Sequence, residues 1–346
     1  MERPQIRWYN PALPPFVLEG FPFFAKDGMY RRMPLNPEWT LPEGVEHLAD
    51  HTAGGQIRFR ARFKTIKLRV ALRAPHNMDH MTPVGQCGFD LYLAETGTPR
   101  FTCVTRFIPT QDSYEVTLID LPEAKMYEAV INFPLYMGVR EVFVGLDADA
   151  VIEAPSPRAV NGKIVVYGTS ITQGGCANRP GMVYTNILSR RLNAEVVNLG
   201  FSGSGRCEPE VAYTIREIEN MSLYVHDAEA NVGAYEDIAS RYPRFVRILR
   251  EKYPTLPILI ATKIPYAREL VNPADHELRL RKKELQRTIV EQFRAEGDKN
   301  IYFADGETFF DGPWEEYTVD GVHCTDLGFL KLADGMEPVI RQILGL

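Results

Sequence analysis

The sequence predicts two units: an antiparallel β-sandwich of jelly-roll type over residues 1–150 and an α/β unit on a parallel sheet over residues 163–346, joined by a linker at 151–162. Three observations lead there. The chain has 346 residues, and domains run to about 100–200 residues, so two are expected. Between Gln56 and Asp147, short alternating segments follow one another with Gly, Pro and Asp punctuation and no convincing helix, the pattern of a sandwich or jelly roll. Beyond Lys163, short apolar strands alternate with helices, which gives a parallel sheet covered on both faces.

The elements follow in order. The first 50 residues hold eight prolines. Proline removes backbone donors and restricts its neighbour, so this segment is expected to be extended and to lie against something larger. Ile57, Phe59, Ala61 and Phe63 then share one face of a strand, with Arg58, Arg60 and Arg62 on the other. A second alternating strand carries Ile66, Leu68, Val70 and Leu72, and further strands are read at 88–95, 100–107, 113–121 and 140–147. Pro155 and Pro157 mark the linker. The α/β unit has strands at 164–167, 194–199, 222–227, 257–264 and 300–305. Its helices are read at 181–192, 208–219, 238–252, 275–296 and 326–344, the third despite Pro243.

Composition narrows the function. With 39 basic and 45 acidic residues the formal net charge is −6, and 45% of residues are hydrophobic. This argues against disorder and against broad binding to nucleic acid or an anionic membrane. No secretory pattern opens the chain, and no run nears the roughly 18 apolar residues of a spanning helix. Five sparse cysteines (Cys87, Cys103, Cys176, Cys207, Cys324) read as reduced thiols in a cytoplasmic protein. No Cys/His spacing suits structural zinc, and no metal is expected.

Chemistry in open α/β sheets gathers at the carboxyl ends of strands. After the first strand comes Gly168-Thr169-Ser170-Ile171-Thr172-Gln173-Gly174-Gly175. A serine there can present its hydroxyl and its own N–H at the sheet edge, the logic of a nucleophile elbow, or it can cap the next helix. A phosphate loop is excluded because Gly175 stands where lysine is required. After the second strand, Gly200-Phe201-Ser202-Gly203-Ser204-Gly205-Arg206 is either a helix-entry turn or a loop aiming an N–H at an oxyanion. It is no dinucleotide fingerprint, since Glu208 replaces the third glycine. Asn231 follows the third strand as an amide donor or a turn residue. Asp320 and His323 stand three apart across Gly321, a spacing that can set a carboxylate against an imidazole. Asp326 is expected to cap the last helix. A metal reading of Asp320, His323, Cys324 and Asp326 lacks a second histidine.

The other candidates read more plainly. His76 and His80 look like solvated loop residues, His226 like a core or edge residue, and His47, His51 and His276 like surface residues. Cys176 and Cys207 follow the first two site loops and could lie near each other and near Ser170; as small packing residues they would be inert. Trp314 and Tyr317 are either packing aromatics or a wall stacking on a sugar face.

The blocks GTSITQGG, NLGFSGSG, EAN and DGVH resemble the four blocks of the SGNH superfamily, the GDSL-type esterases and lipases, in the same order over about residues 160–346. The resemblance implies a three-layer, flavodoxin-like α/β/α domain with a five-stranded parallel sheet and no metal or other cofactor. It makes Ser170 the nucleophile and Asp320 and His323 its triad partners, with the oxyanion held by Ser170, Gly203 and Asn231. The upstream segments are similar to a bacterial subgroup in which a β-sandwich precedes this domain and which leans toward acyl groups on small polar or sugar-like molecules. Two departures bear on substrate class: Thr169 replaces the motif aspartate, and Val232 follows Asn231 where an aspartate is usual. Thr169, Arg206, Glu229, Trp314 and Tyr317 are the expected substrate contacts.

The expected activity is hydrolysis of a short-chain, acetyl-type ester of a carbohydrate-like or other small polar molecule. An acyltransferase using the same triad is a second reading. A third makes the sandwich a carbohydrate- or protein-binding module on an inert scaffold. In an enzyme, the sandwich would shape substrate access or mediate homo-oligomer formation.

Overall fold

The computed structural model describes residues 5–346. Its N-terminal half contains β1 (Ile6–Tyr9), β2 (Val17–Glu19), α1 (Phe24–Asp27), α2 (Glu43–Ala49), β3 (Gln56–Leu72), α3 (Pro83–Cys87), β4 (Asp90–Ala94), β5 (Arg100–Val104), β6 (Ser113–Asn132), β7 (Val139–Asp147) and β8 (Val151–Glu153). All eight strands belong to one hydrogen-bonded antiparallel sheet, β1-β7-β3-β6-β4-β5, with β2 and β8 also on β3.

The two strands expected from Gln56 to Leu72 are a single strand of 17 residues. Its apolar face runs through odd positions to Phe63 and even positions from Ile66, and the register with β6 shifts between Phe63 and Thr65. The surplus residues at this irregularity, 121–124, lie on β6, and the inward-facing phase of β3 changes beside it. The first half of β3 borders β2 and β8, the second half β7. One strand thereby serves two strand sets, as at the corner of a sandwich.

The C-terminal half runs β9 (Lys163–Gly168), α4 (Ser170–Gln173), α5 (Tyr184–Leu192), β10 (Glu195–Gly200), α6 (Pro209–Ile215), β11 (Met221–Asp227), α7 (Glu229–Val232), α8 (Tyr235–Lys252), β12 (Ile258–Ala261), α9 (Pro273–Ala295), β13 (Ile301–Ala304) and α10 (Asp326–Leu344). The five strands are parallel in the order β10-β9-β11-β12-β13, the flavodoxin-like 2-1-3-4-5 arrangement with its switch point at β9. Alternate side chains feed two cores. Ile164 and Val166 join α5 and α10 on one face, and Val165 and Tyr167 join α6, α8 and α9 on the other. No helix among the described residues is long and apolar enough to cross a membrane.

The two halves share their cores. The α5/α10 cluster continues into the apolar face of β3. Met33, Leu41, Val45 and Ala49 of the proline-rich leading segment pack into the opposite cluster. Fully buried Arg32 donates to the carbonyls of Leu48, His51, Asn198 and Gly200, pinning that segment to the end of β10. Charged donors on carbonyls are worth about 1.5–3 kcal/mol each, and this grip ends at the loop that follows β10.

Candidate active site

β9 stops at Gly168 and the chain turns into α4 through Thr169. The Thr169 hydroxyl accepts the Ile171 N–H at 3.3 Å, and its N–H donates to Thr172 Oγ1 at 3.2 Å. That cap leaves Ser170 as the first helical residue, where the backbone N–H has no intrahelical acceptor. Thr169 is only 2% exposed, and its hydroxyl oxygen serves the cap.

Asp320 and His323 lie in the turn before α10. Asp320 Oδ1 accepts the N–H groups of Val322 at 3.0 Å and His323 at 2.8 Å, an Asx-type turn. Its Oδ2 lies 2.7 Å from His323 Nδ1, and His323 Nε2 lies 2.8 Å from Ser170 Oγ. A carboxylate only accepts, so Nδ1 carries the proton and Nε2 presents its lone pair to the serine hydroxyl. Burial opposes ionisation of Asp320, but the His323 backbone N–H, its imidazole and the Val322 N–H outweigh it and hold the carboxyl below its usual value. The cap of α10 is Thr325, not Asp326. Asp326 instead accepts the backbone and side-chain N–H of Asn178 at 2.9 and 3.2 Å.

The loop after β10 folds against the end of β9. Phe201 N–H donates to Gly168 O at 3.1 Å. Gly205 presses so closely that a Cβ there would lie 2.1 Å from the same oxygen. Gly203 sits at φ 68°, a left-handed turn conformation that suits glycine. Asn231 Oδ1 accepts the Gly205 N–H at 3.3 Å, which fixes the amide and leaves its NH2 as a donor. Ser170 follows β9, Gly203 follows β10 and Asn231 follows β11, so the three stand at the carboxyl ends of adjacent strands.

Arg206 donates to Gly203 O at 2.9 Å and, with Asn231, Asp237, Ser240 and Arg241, lines a polar cavity of about 720 Å³. Glu229 is buried and accepts from Lys263 N–H and Gln286 Nε2, both at 2.9 Å. It lines a second cavity of about 330 Å³ with Tyr266, Arg279 and Val322, the neighbour of His323. Tyr317 is buried edge-on to Phe310, and Trp314 packs on the same cluster. Both aromatics serve packing and line neither cavity.

Several supports were invisible in the sequence. Gln173 receives the Ser202 N–H at 3.0 Å and donates to Leu135 O at 3.2 Å, with His51 Nδ1 at 3.0 Å. It thereby joins the serine turn, the glycine loop and the N-terminal half, and His51 is not a free surface residue. Asp90 of β4 is fully buried and accepts from Asn132 Nδ2 at 2.7 Å, Arg179 at 2.9 Å and Gly181 N–H at 2.7 Å, clamping the halves beside the site. His80 reaches the site as well: its ring centroid lies 5.9 Å from that of His323. Cys176 and Cys207 part company. Cys176 lies near His80 and His323, whereas Cys207 Sγ contacts His226 at 3.3 Å in the opposite core.

Behind the serine turn, Asp227 Oδ2 accepts from Tyr184 OH at 2.7 Å and Thr172 Oγ1 at 2.9 Å. Burial raises its pKa from 3.8 to about 7 despite these bonds. Because the folded state holds this proton where the unfolded state has lost it, stability is full below the unfolded value and declines from about pH 4 to about pH 7. Asp227→Asn keeps an acceptor for both hydroxyls and removes the charge. The variant is expected to gain roughly 2–4 kcal/mol on the wild type as pH rises across that window. Urea midpoints that stay parallel between pH 4 and pH 8 would contradict this.

The sequence profile of the GDSL-like lipase/acylhydrolase family matches residues 161–341, and that of the N-terminus of the SGNH-hydrolase-type esterases matches residues 6–152. A Bacteroides ovatus protein described as a GDSL-like lipase is 31% identical over 99% of this chain and 98% of that one, with a TM-score of 0.90. A salicylyl-acyltransferase from a tetracycline biosynthetic pathway is 18% identical over 98% and 97%, with a TM-score of 0.78. A family two carbohydrate esterase from Clostridium thermocellum, solved with cellohexaose, is 15% identical over 85% and 93%, with a TM-score of 0.63. No curated protein matches. The last two structures share the fold; the profile that spans the α/β half, with the full-length Bacteroides match, places the chain in the GDSL-like lipase/acylhydrolase family of ester-hydrolysing enzymes.

Proposed function

We propose that this enzyme hydrolyses short-chain, chiefly acetyl, esters of small polar or carbohydrate-like alcohols through an acyl-enzyme on Ser170. The observation that carries the reading is the hydrogen-bonded chain Ser170 Oγ to His323 Nε2 at 2.8 Å and His323 Nδ1 to Asp320 at 2.7 Å. Ser170 Oγ attacks the acyl carbon while His323 Nε2 takes its proton. The imidazolium, steadied by Asp320, returns that proton to the leaving alkoxide. Water activated by His323 then releases the acid and frees Ser170. The N–H groups of Ser170 and Gly203 and the Asn231 amide hold the oxyanion of each tetrahedral intermediate.

Asn231→Ala tests the last role. One such donor is worth about 3 kcal/mol, or roughly 10²–10³ in rate. The loss should fall on kcat rather than KM, because the oxyanion exists chiefly in the transition state. An unchanged kcat would remove Asn231 from the hole.

Two nearby cavities support a polar substrate. Charged and polar side chains line both (Arg206, Asp237 and Arg241 in one, Glu229, Lys263 and Arg279 in the other). A long acyl tail there would shield these charged groups from water, which costs free energy, whereas hydroxyl-rich groups can hydrogen-bond to them. Structural relatives described as carbohydrate esterases and as an acetyl xylan esterase support the same direction. Turnover of p-nitrophenyl esters should therefore be highest at the acetate and fall with chain length; preference for medium-chain esters would overturn the substrate reading. The same triad can deliver the acyl group to an alcohol, and the shared fold of a salicylyl-acyltransferase is compatible with that. Product analysis with excess sugar acceptor separates the two outcomes.

A further inference from the structure

His80 belongs to the loop between β3 and α3, in the N-terminal half, yet it stands over the His323 ring. Cys176 follows α4 and is 4% exposed. It holds φ 74°, which is uncommon for a residue with a side chain. One nitrogen of each imidazole and the Cys176 sulfur all lie within 4.8 Å of one another. We propose that His80, Cys176 and His323 form a site for a zinc-class divalent transition-metal ion, and that filling it switches hydrolysis off. The switching half of this proposal rests on His323 being the base.

The donor set fits the ion. Two imidazoles and a thiolate suit zinc, and they are unlike the oxygen ligands that magnesium or calcium require. Tetrahedral zinc with nitrogen and sulfur bonds of about 2.0–2.3 Å sets its ligands about 3.5 Å apart, so the three groups need to close by about an ångström. His80 can supply that movement: its side chain is 35% exposed and contacts Asp79 through Nδ1 at 3.2 Å. That contact leaves Nε2 for the metal, in the carboxylate–histidine–metal arrangement common at such sites. His323 has the same arrangement, with Asp320 on Nδ1.

The consequence for turnover is direct. The lone pair of His323 Nε2 that faces the Ser170 hydroxyl at 2.8 Å is the one the metal would take. Coordination forms bonds to two neutral imidazoles and one thiolate, and Cys176 releases its proton to solvent; nothing is oxidised or reduced. With Nε2 coordinated, the serine proton has no acceptor. The ion would also tie a loop of the N-terminal half to the turn carrying Asp320 and His323.

The test titrates chelator-treated full-length enzyme with zinc chloride, following p-nitrophenyl acetate hydrolysis, and separately with cobalt(II) chloride, following thiolate-to-cobalt charge-transfer absorption. Zinc is expected to stop turnover reversibly, with EDTA restoring it. His80→Ala and Cys176→Ser should keep metal-free turnover and raise the half-inhibiting zinc concentration about tenfold or more. The cobalt–thiolate band should vanish in Cys176→Ser; if that variant fails to fold, His80→Ala, an exposed loop change, carries the test. Absence of the band in wild type, or equal zinc sensitivity in the variants, would overturn the site. A cobalt–thiolate band in a chain that hydrolyses no ester would uphold the site and overturn the functional reading, whereas hydrolysis without the band overturns the site alone.

Discussion

Ser170→Ala is expected to lower kcat on p-nitrophenyl acetate by about 10⁴-fold or more, with the fold intact and KM little changed. The substitution removes one oxygen, whose hydrogen bond is to His323 Nε2. The cap that builds the turn belongs to Thr169 and Thr172 and survives. The remaining backbone donors would still polarise an ester carbonyl, which leaves a residual rate above that of water. Because the acyl-enzyme cannot form, any pre-steady-state burst of p-nitrophenol should vanish with it. Wild-type turnover in this variant would end the nucleophile assignment.

Asp320→Asn is expected to cost about 10³-fold in kcat, more than removal of a hydrogen bond alone would suggest. The asparagine oxygen can still accept the Val322 and His323 backbone N–H groups, so the turn should hold. Its NH2, however, now faces Nδ1 and favours the tautomer with the proton on Nε2, the nitrogen that must accept from Ser170. The imidazolium also loses the counter-charge beside it. In the wild type, hydrogen bonds from His323 and Val322 outweigh burial and lower the Asp320 pKa. The stability contributed by its ionised form is present above the unfolded carboxylate value and is lost only as pH falls through the lowered folded value. A loss of only a few-fold in Asp320→Asn would show that another group orients the imidazole.

How much of this was legible in the sequence depends on whether the signal was local. The α/β half announces itself by period: Ile164 to Tyr167 read as one buried strand, and their alternate side chains feed two helical layers. The four site blocks were legible because each directly follows a strand or precedes a helix, where topology alone puts them on one edge. The β half was harder. The phase flip at Phe63–Thr65 hid one long strand as two. Pro122 and its charged neighbours concealed the continuation of β6, in which residues 121–124 have no partner on β3; proline is tolerated at such an irregularity.

Contacts between distant segments left no local trace. His80 precedes Ser170 by 90 positions, and nothing in HNMDH marks a loop that crosses to the other half. Nothing local marks Gln173 as a joint, because its partners His51, Leu135 and Ser202 come from three separate segments. Gly88-Phe89-Asp90-Leu91-Tyr92 read only as a strand, although Asp90 and Tyr92 both bind Arg179 at the junction of the halves. Thr169 and Tyr317 have structural roles that the sequence also hides: one caps α4 and the other packs edge-on to Phe310.

The most direct measurement treats the full-length enzyme with a serine-directed fluorophosphonate and maps the adduct by mass spectrometry. One phosphonylated residue is expected, Ser170, formed in wild type and absent from Ser170→Ala. An unmodified wild-type chain, or an adduct elsewhere that forms equally well in Ser170→Ala, would contradict it.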